Sequence, residues 1–598
     1  MAFRFRSARS DLKGKFMRNS PVVVFAPYSA IWSHALPEAL VASAVKQAGS
    51  QVIYVPCDGM MEEGCAAMSA YNINHLSPVE ARTELCSMCR KRRDALASGL
   101  GVKVITMDSL LPAGVKEEMT AFVAAINISD IMDLEVDGFK VGRIAMHETI
   151  IHFKLTALEE ASTEALMEFR VKLLHVLLAL KVTQTLIKKL SPARILNYNT
   201  NLSSNHIMML VAEREGVPTY GLHAGGNMAK RLSSLYVYRQ DMVRLYKSWI
   251  SRFEHEWARQ PTTSAGIRDA ALHFTALTSG KTLWVYSAPK QKAYFDVRIH
   301  YGISSNQKVL LATLSSYDEL FSSQTLGIMD EPQLMFPTQV EWMQSLIKHV
   351  AGRPDLFLLI RVHPRELPNL RDKLHSNHAK KLAEVLVKLP PNVRINWPQE
   401  GISLYDLLPQ VDVGLNGWSS TGKELALMGI PVVLFTGDIL FYPSSLNSLA
   451  SDHEDYFRRI DQALEDGWSF DRIRQVFRWL AVEYTLGTID ISDRFTYKEG
   501  ARSLFRRAIG KLRRTFAYRF EASRLNIPMR HGKSFAKVIL DDASLIDLNI
   551  AQQGRLDATQ EDRLIRQEMK HIVQSLYGQV PVGASTNIDS LRAATGVV

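Results

Sequence analysis

Cysteine is scarce in this chain: 598 residues hold four, at 57, 65, 86 and 89, and none follows. So few, so clustered, exclude a disulfide framework as the basis of the fold. Long apolar runs are missing too. None reaches the ~18 residues of a membrane span, and MAFRFRSARSDLKGKFMRNS has no apolar segment of the secretory type before PVVVFAP. A cytoplasmic location is the expectation. Internal repeats and low-complexity tracts are absent, which excludes repeat arrays and fibrous classes.

What is present describes an ordinary globular protein, 46% hydrophobic and 22% charged. The length exceeds what one core supports, so two large domains with appendages are expected. A formal charge of +10 gathers toward the two ends. That bias suits an anionic surface or substrate, and no nucleic-acid recognition motif accompanies it.

Strand and helix signals alternate. PVVVFAP, an amphipathic stretch ending near Gly49, and QVIYVPC form a βαβ unit, continued by GVKVITM. A long helical pattern covers roughly 150–190, then ARILNYNT, a helix over 204–215, and VPTYGLHAGG. The alternation resumes with a strand at 308–313, a helix over 338–350, then LFLLIRVHP, NVRINWP, VDVGLN and IPVVLF. The expected organisation is a basic arm over 1–20, an α/β domain over 21–235, a linker region over 236–305, a second α/β domain over 306–485 and a helical basic extension over 486–598. Ligands of such doubly wound sheets bind beyond the strand C-termini.

Cys57, Cys65, Cys86 and Cys89 combine a wide pair, CDGMMEEGC, with a CxxC, CSMC. That spacing predicts a four-cysteine metal site, zinc ahead of iron–sulfur, with buried free thiols or a redox pair as the alternative. Asp58, Glu62 and Glu63 read as local surface groups.

RVHPRE (361–366), SLYDLLPQVDV (403–413) and WSSTGKELALMGIPVV (418–433) stand in an order that resembles the carboxy-terminal signature of GT-B glycosyltransferases. The likeness is to the capsule-polysaccharide group that includes Kdo transferases, and it covers about 310–440. His34, DGFKVGRIAMHETI and GLHAGG agree with that group only in outline. The resemblance implies two Rossmann-like domains facing a cleft, a nucleotide-sugar donor, and contact between His363 and the nucleotide.

The residues carry their own reading. A helix start offers amides and a positive dipole end to a phosphate. Ser419, Ser420 and Thr421 would add hydroxyls, Gly422 would allow close approach, and Glu424 would bind a ribose. The bland alternative is an ordinary N-cap. His363 and Arg365, at a strand end, would face the phosphate, with Ser315 and Ser316 after the first strand of the second domain. His223, before two glycines, is a candidate for acceptor binding or proton transfer. In the tail, 501–525 interleaves Arg506, Arg507 and Arg513 with Phe505, Phe516 and Phe520. Such a helix can lie on an anionic inner-membrane surface, or pack on the protein.

The sequence therefore predicts a glycosyltransferase that moves a sugar from a nucleotide donor onto a surface polysaccharide or lipid-linked glycan, of capsule or O-antigen type. A nucleotide-sugar epimerase, a polyol-phosphate transferase on the same fold, or a non-catalytic scaffold of a polysaccharide assembly complex remain as alternatives.

Overall fold

The computed structural model describes residues 20–280, 285–368, 374–495 and 517–597. The basic arm up to residue 19 and the Arg/Phe-rich stretch 501–516 lie outside the described residues.

Two sheets organise the chain. The first contains β1 (Val22–Phe25), β2 (Val52–Val55), β3 (Lys103–Val104), β4 (Arg194–Tyr198), β5 (Thr219–Ala224) and β6 (Ser234–Arg239). The order is β6-β5-β4-β1-β2-β3, parallel except for β6. β1 reads VVVF without alternation because both its faces are covered, as parallel sheets require. The second sheet is wholly parallel: β7 (Lys308–Thr313), β8 (Leu356–Arg361), β9 (Val393–Asn396), β10 (Val413–Asn416), β11 (Val432–Leu434) and β12 (Ser448–Leu449), ordered β12-β11-β10-β7-β8-β9. This is the α/β architecture of two parallel-dominated sheets that the sequence predicted.

After the second sheet the chain returns. The helix Phe470–Ala481 runs into a π-helical stretch, Val482–Leu486, and β13 (Ile489–Asp490) pairs antiparallel with β6. Gly532–Asp541 then packs on Trp32–Gln47, and Ala558–Tyr577 on Ser264–Thr278. The helical extension is thus part of both cores.

The sequence reading and the structure differ in three places. The helical pattern over 150–190 is two helices, Val141–Phe153 and Thr163–Leu190. The first ends at Lys154, whose φ of 51° cannot continue a helix. The second starts where Ser162 Oγ accepts the Ala165 amide at 3.2 Å, and closes with Lys188 and Lys189 on its negative dipole end. GVKVITM contributes only two strand residues, Lys103 and Val104. The stretch 236–305 holds most of β6 and the helices Met242–His255, Ser264–Thr278 and Val297–Tyr301. Its Trp249, Phe253 and Phe274 share one core with Leu407 and Trp479 of the second half.

Arg478 and Glu561, both buried, bind the returning helix to Ala558–Tyr577, at 2.5 Å between Nη2 and Oε2. Glu561 also accepts the Thr262 amide at 2.8 Å. Removing one partner of such a pair strands a charge and costs about 3–5 kcal/mol. Glu561→Ala should lower the urea midpoint accordingly, measured by circular dichroism; a change below about 1 kcal/mol would contradict this role.

Candidate active site

The candidate side chains stand at or just beyond strand C-termini of both sheets. In the second domain His363 follows β8, and Pro364 opens a short 3-10 turn there. Its Nδ1 lies 3.1 Å from Ser316 Oγ and 3.3 Å from the Arg365 amide. An amide only donates, so Nδ1 is the acceptor and the proton sits on Nε2. The ring is half-buried, with Tyr286 at 6.2 Å between centroids. Beside it Ser315 is buried, its backbone clamped by the Gln339 side chain at 2.8 and 2.9 Å. Its Oγ has no hydrogen-bond partner among the described residues.

The turn at 419–422 departs from expectation. Ser419 Oγ receives the Thr421 amide at 3.3 Å and pairs with Thr421 Oγ1 at 2.9 Å. The Gly422 and Lys423 amides bond to the Ser419 and Ser420 carbonyls. Asn416 holds the turn from behind, through Ser419 O at 2.8 Å and Tyr442 Oη at 3.1 Å. The amides expected to be open to a phosphate are engaged within the turn. A Cβ on Gly422 would meet Tyr442 Oη and the Asn416 amide, so packing accounts for that glycine. Ser420 is exposed, and its Oγ reaches Glu424 Oε1 only at 3.4 Å. The other Glu424 oxygen accepts from Tyr405 Oη at 2.9 Å, and burial raises this carboxyl above the usual range.

Arg365 is a correction. It was expected on the phosphate, but it is buried and spans the domain junction. It donates to Asp318 at 2.7 Å, to Glu319, and to the Ile151 carbonyl at 3.2 Å. Lys154 answers from the first domain, donating to the carbonyls of Arg365 at 2.5 Å and Leu374 at 2.9 Å. His147 Nδ1 faces Ser322 O at 3.1 Å across the same junction.

On the first domain His223 is the penultimate residue of β5 and donates from Nδ1 to the Ala224 carbonyl at 2.9 Å. Its Nε2 therefore keeps a lone pair. Two residues that sequence reasoning assigned no role in the cleft stand with it: Tyr198, 6.1 Å from His223 between centroids, and His34, stacked on Tyr198 at 4.1 Å. No motif marks Tyr198; its position at the end of β4 was the available signal. A buried layer joins this wall to the second domain. Lys423 Nζ pairs with Glu483 at 2.5 and 2.7 Å, and the Glu483 backbone carbonyl accepts from Tyr236 Oη. Gly226 packs on Tyr236 and Tyr484, and His273 joins the Met228 amide to Tyr484 Oη. The π-helical stretch supplies Glu483 and Tyr484, as such insertions often do at functional sites.

The four cysteines line one cavity, with Pro27, Met61 and Met68 among its walls. Among the described residues, however, no three His, Cys, Asp or Glu donors are grouped so as to hold one metal ion. The tetrahedral zinc expected there finds no support in this arrangement.

No family model and no curated protein matches the chain. Among solved structures it is similar to KpsC, a beta-Kdo 2,4 transferase of Thermosulfurimonas dismutans, at 17% identity over 50% of this chain and 81% of that one, with a TM-score of 0.32. The spinosyn rhamnosyltransferase SpnG complexed with thymidine diphosphate matches at 13% identity over 78% and 96%, TM-score 0.22. A UDP-GlcNAc 2-epimerase from Neisseria meningitidis bound to UDP-GlcNAc matches at 12% over 79% and 97%, TM-score 0.21. At these values the likeness assigns no residue a role, and the roles below rest on this chain's own geometry.

Burial pushes His363 and His223 down to about 4, and His34, His175 and His206 to about 3. All are neutral at pH 7. As pH falls below 6.5, unfolded histidines take protons that the folded ones refuse, so these rings contribute stability at pH 7 that is lost as pH falls from 6.5 toward 4. Buried Glu38 and Asp318, raised to about 8 and about 7, act in the opposite sense as pH rises, so the rings are read one by one. In an NMR titration His363 and His223 are expected to stay neutral from pH 7 down to 5; a titration midpoint near 6.5 for either ring would contradict the neutral assignment.

Proposed function

We propose that the protein is a glycosyltransferase that moves a sugar from a nucleotide-activated donor to a hydroxyl of a surface polysaccharide or lipid-linked glycan. One observation carries the reading: two neutral imidazoles at strand ends of the two domains have opposite tautomers, His363 with a free N–H and His223 with a free lone pair. A transfer between a phosphate leaving group and a hydroxyl acceptor needs one of each.

The donor's phosphate takes a hydrogen bond from His363 Nε2–H, with the Ser315 and Ser316 strand end beside it. Glu424 accepts from the ribose through the oxygen that Tyr405 leaves open, and Ser419, Ser420 and Thr421 line the edge with hydroxyls. The acceptor hydroxyl meets His223 Nε2. As the bond between the anomeric carbon and the bridging phosphate oxygen breaks, its electron pair stays on that oxygen, and the acceptor oxygen bonds to the carbon. Its proton goes to His223. A ring with so low a proton affinity takes that proton late, once the attacking hydroxyl has become acidic. His363 stabilises the negative charge gained by the leaving group, a contribution that grows in the transition state.

The capsule-type acceptor is supported by the motif order over 361–433 alone. Among the described residues no helix is long and apolar enough to cross a membrane.

The test is a transfer assay with CMP-, UDP-, GDP- and CDP-linked sugars. His363→Ala should weaken donor binding roughly ten- to a hundredfold, whereas His223→Ala should lower kcat by about 10²–10⁴ with donor affinity unchanged. Unaltered kinetics in both variants would remove the assignment.

A further inference from the structure

We propose that the outward face of the stretch 517–530 docks the protein on an anionic lipid surface. The docking is independent of the transferase reading; only its use for a lipid-linked acceptor rests on that reading.

The stretch begins with helical turns at 517–523 and continues in tight turns, the Arg524, Leu525 and Ile527 amides bonding to the Glu521, Ala522 and Arg524 carbonyls. Helical spacing divides its side chains. Tyr518, Glu521, Ala522 and Leu525 face the first domain. Tyr518 meets Trp32 edge-on at 5.8 Å between centroids, and Glu521 accepts the Trp32 indole N–H at 2.6 Å. Ala522 lies so close to Gly99 that a Cβ on the glycine would strike its carbonyl, and Leu525 is buried with its own carbonyl held by the Ser43 hydroxyl. The Gln47 side chain donates to the Asn526 carbonyl at 3.2 Å, and the Asn526 side chain to the Gly99 carbonyl at 2.7 Å. These contacts moor the stretch to the helices Trp32–Gln47 and Val79–Leu100.

The opposite face is built differently. Phe520 is 65% exposed and Ile527 45%. Arg519, Arg524 and Arg530, all exposed, interleave with them, and the Arg524 guanidinium stands 5.5 Å over the Phe520 ring. The acids at hand are engaged elsewhere: Glu521 is turned inward onto Trp32, and Asp493 accepts the Arg530 amide at 3.0 Å and faces Arg494 at 3.8 Å. A lone exposed apolar residue needs no explanation. Here two share an outward face with three cations, after other residues have satisfied the packing of the stretch. Residues 501–516, which lead into this face, carry Arg502, Arg506, Arg507, Lys511, Arg513 and Arg514 and no acid.

An interfacial segment binds in this way: apolar side chains enter at headgroup level, arginine stems snorkel to the lipid phosphates, and each cation near an anionic leaflet adds about 1 kcal/mol. A protein partner is the poorer fit, because the centre of a protein interface is depleted of charge and spans ~800 Å² per side. A single-stranded nucleic acid would stack on Phe520 but leave Ile527 without a partner.

The mooring sets this face beside the acceptor wall. Trp32 opens the helix that carries His34, the residue stacked on Tyr198 next to His223. Docking through Phe520 and Ile527 would hold that wall at the surface where a lipid-linked acceptor presents its glycan.

The test is cosedimentation of the full chain with phosphatidylcholine vesicles, with and without about one third phosphatidylglycerol. Binding is expected to the anionic vesicles only, and it should weaken steeply between about 0.1 and 0.5 M salt. Phe520→Ser with Ile527→Ser should lower the partition coefficient roughly tenfold, and Arg519→Gln with Arg524→Gln roughly thirtyfold. Ile299→Ser, at an exposed apolar residue outside this face, should leave it unchanged. All these side chains stand in solvent, so the circular dichroism of each variant should match the wild type. No vesicle binding, equal binding to neutral vesicles, or an unchanged partition in the Phe520 and Ile527 variant would overturn the proposal. So would an arginine-dependent affinity for single-stranded nucleic acid in place of vesicle binding. The assay contains no sugar donor: a protein inactive in transfer that still binds anionic vesicles supports the docking, and a transferase that ignores them refutes the docking alone.

Discussion

Arg365 is the side chain on which the site's geometry depends. Its guanidinium takes Asp318 and Glu319 from one helix and the Ile151 carbonyl from the other domain, while its carbonyl receives Lys154. Each contact alone would leave a buried charge costly; together they offset the burial of both cations. Burial lifts Asp318 to about 7 even beside Arg365, a measure of how dry the junction is. The amide of the same residue sets the His363 tautomer. The contact that locks one domain to the other thus also aims the imidazole, and movement at the junction is felt at His363.

The second constraint is neutrality. Rings held near pKa 4 in the folded state carry no charge at pH 7, so their hydrogen bonds are directional and their polarity is fixed by backbone atoms. The positive charge near the cleft is spent within the protein, on Lys423–Glu483 and Arg365–Asp318. In the proposed reading, donor recognition rests on neutral donors: the His363 N–H, the Ser315 hydroxyl and the exposed Ser420. A cleft of this kind stabilises charge that develops during transfer better than charge already present in the bound donor.

The architecture was legible because parallel strands buried on both faces, such as VVVF and LFLLIR, read as unbroken apolar runs between helical periods. The placement of His363, Ser316 and His223 at or just beyond strand ends was legible in the apolar runs that precede them. Arg365 was misread because its partner Asp318 stands 47 positions away, and only the folded chain shows the pairing. The stretch 236–305 looked like a linker because Trp249 and Phe253 find their core partners in Leu407 and Trp479, far along the chain. β13, at two residues, is too short to carry a period at all. Tyr198, Tyr484 and His273 belong to no motif; tertiary packing alone gives them a place. The cysteines were legible as a group from their spacing and line one cavity, but among the described residues no three donors are grouped to hold a metal ion, which only the folded chain shows.

Hydrogen exchange of the full chain with and without a nucleoside diphosphate tests the central claim most directly, since it reads both walls of the cleft at once. Protection is expected over 313–319, 361–366 and 416–424, with the 219–227 segment responding only when an acceptor glycan is added. Protection confined to other segments, or none at saturating nucleotide, would contradict a donor site at His363 and with it the transferase account.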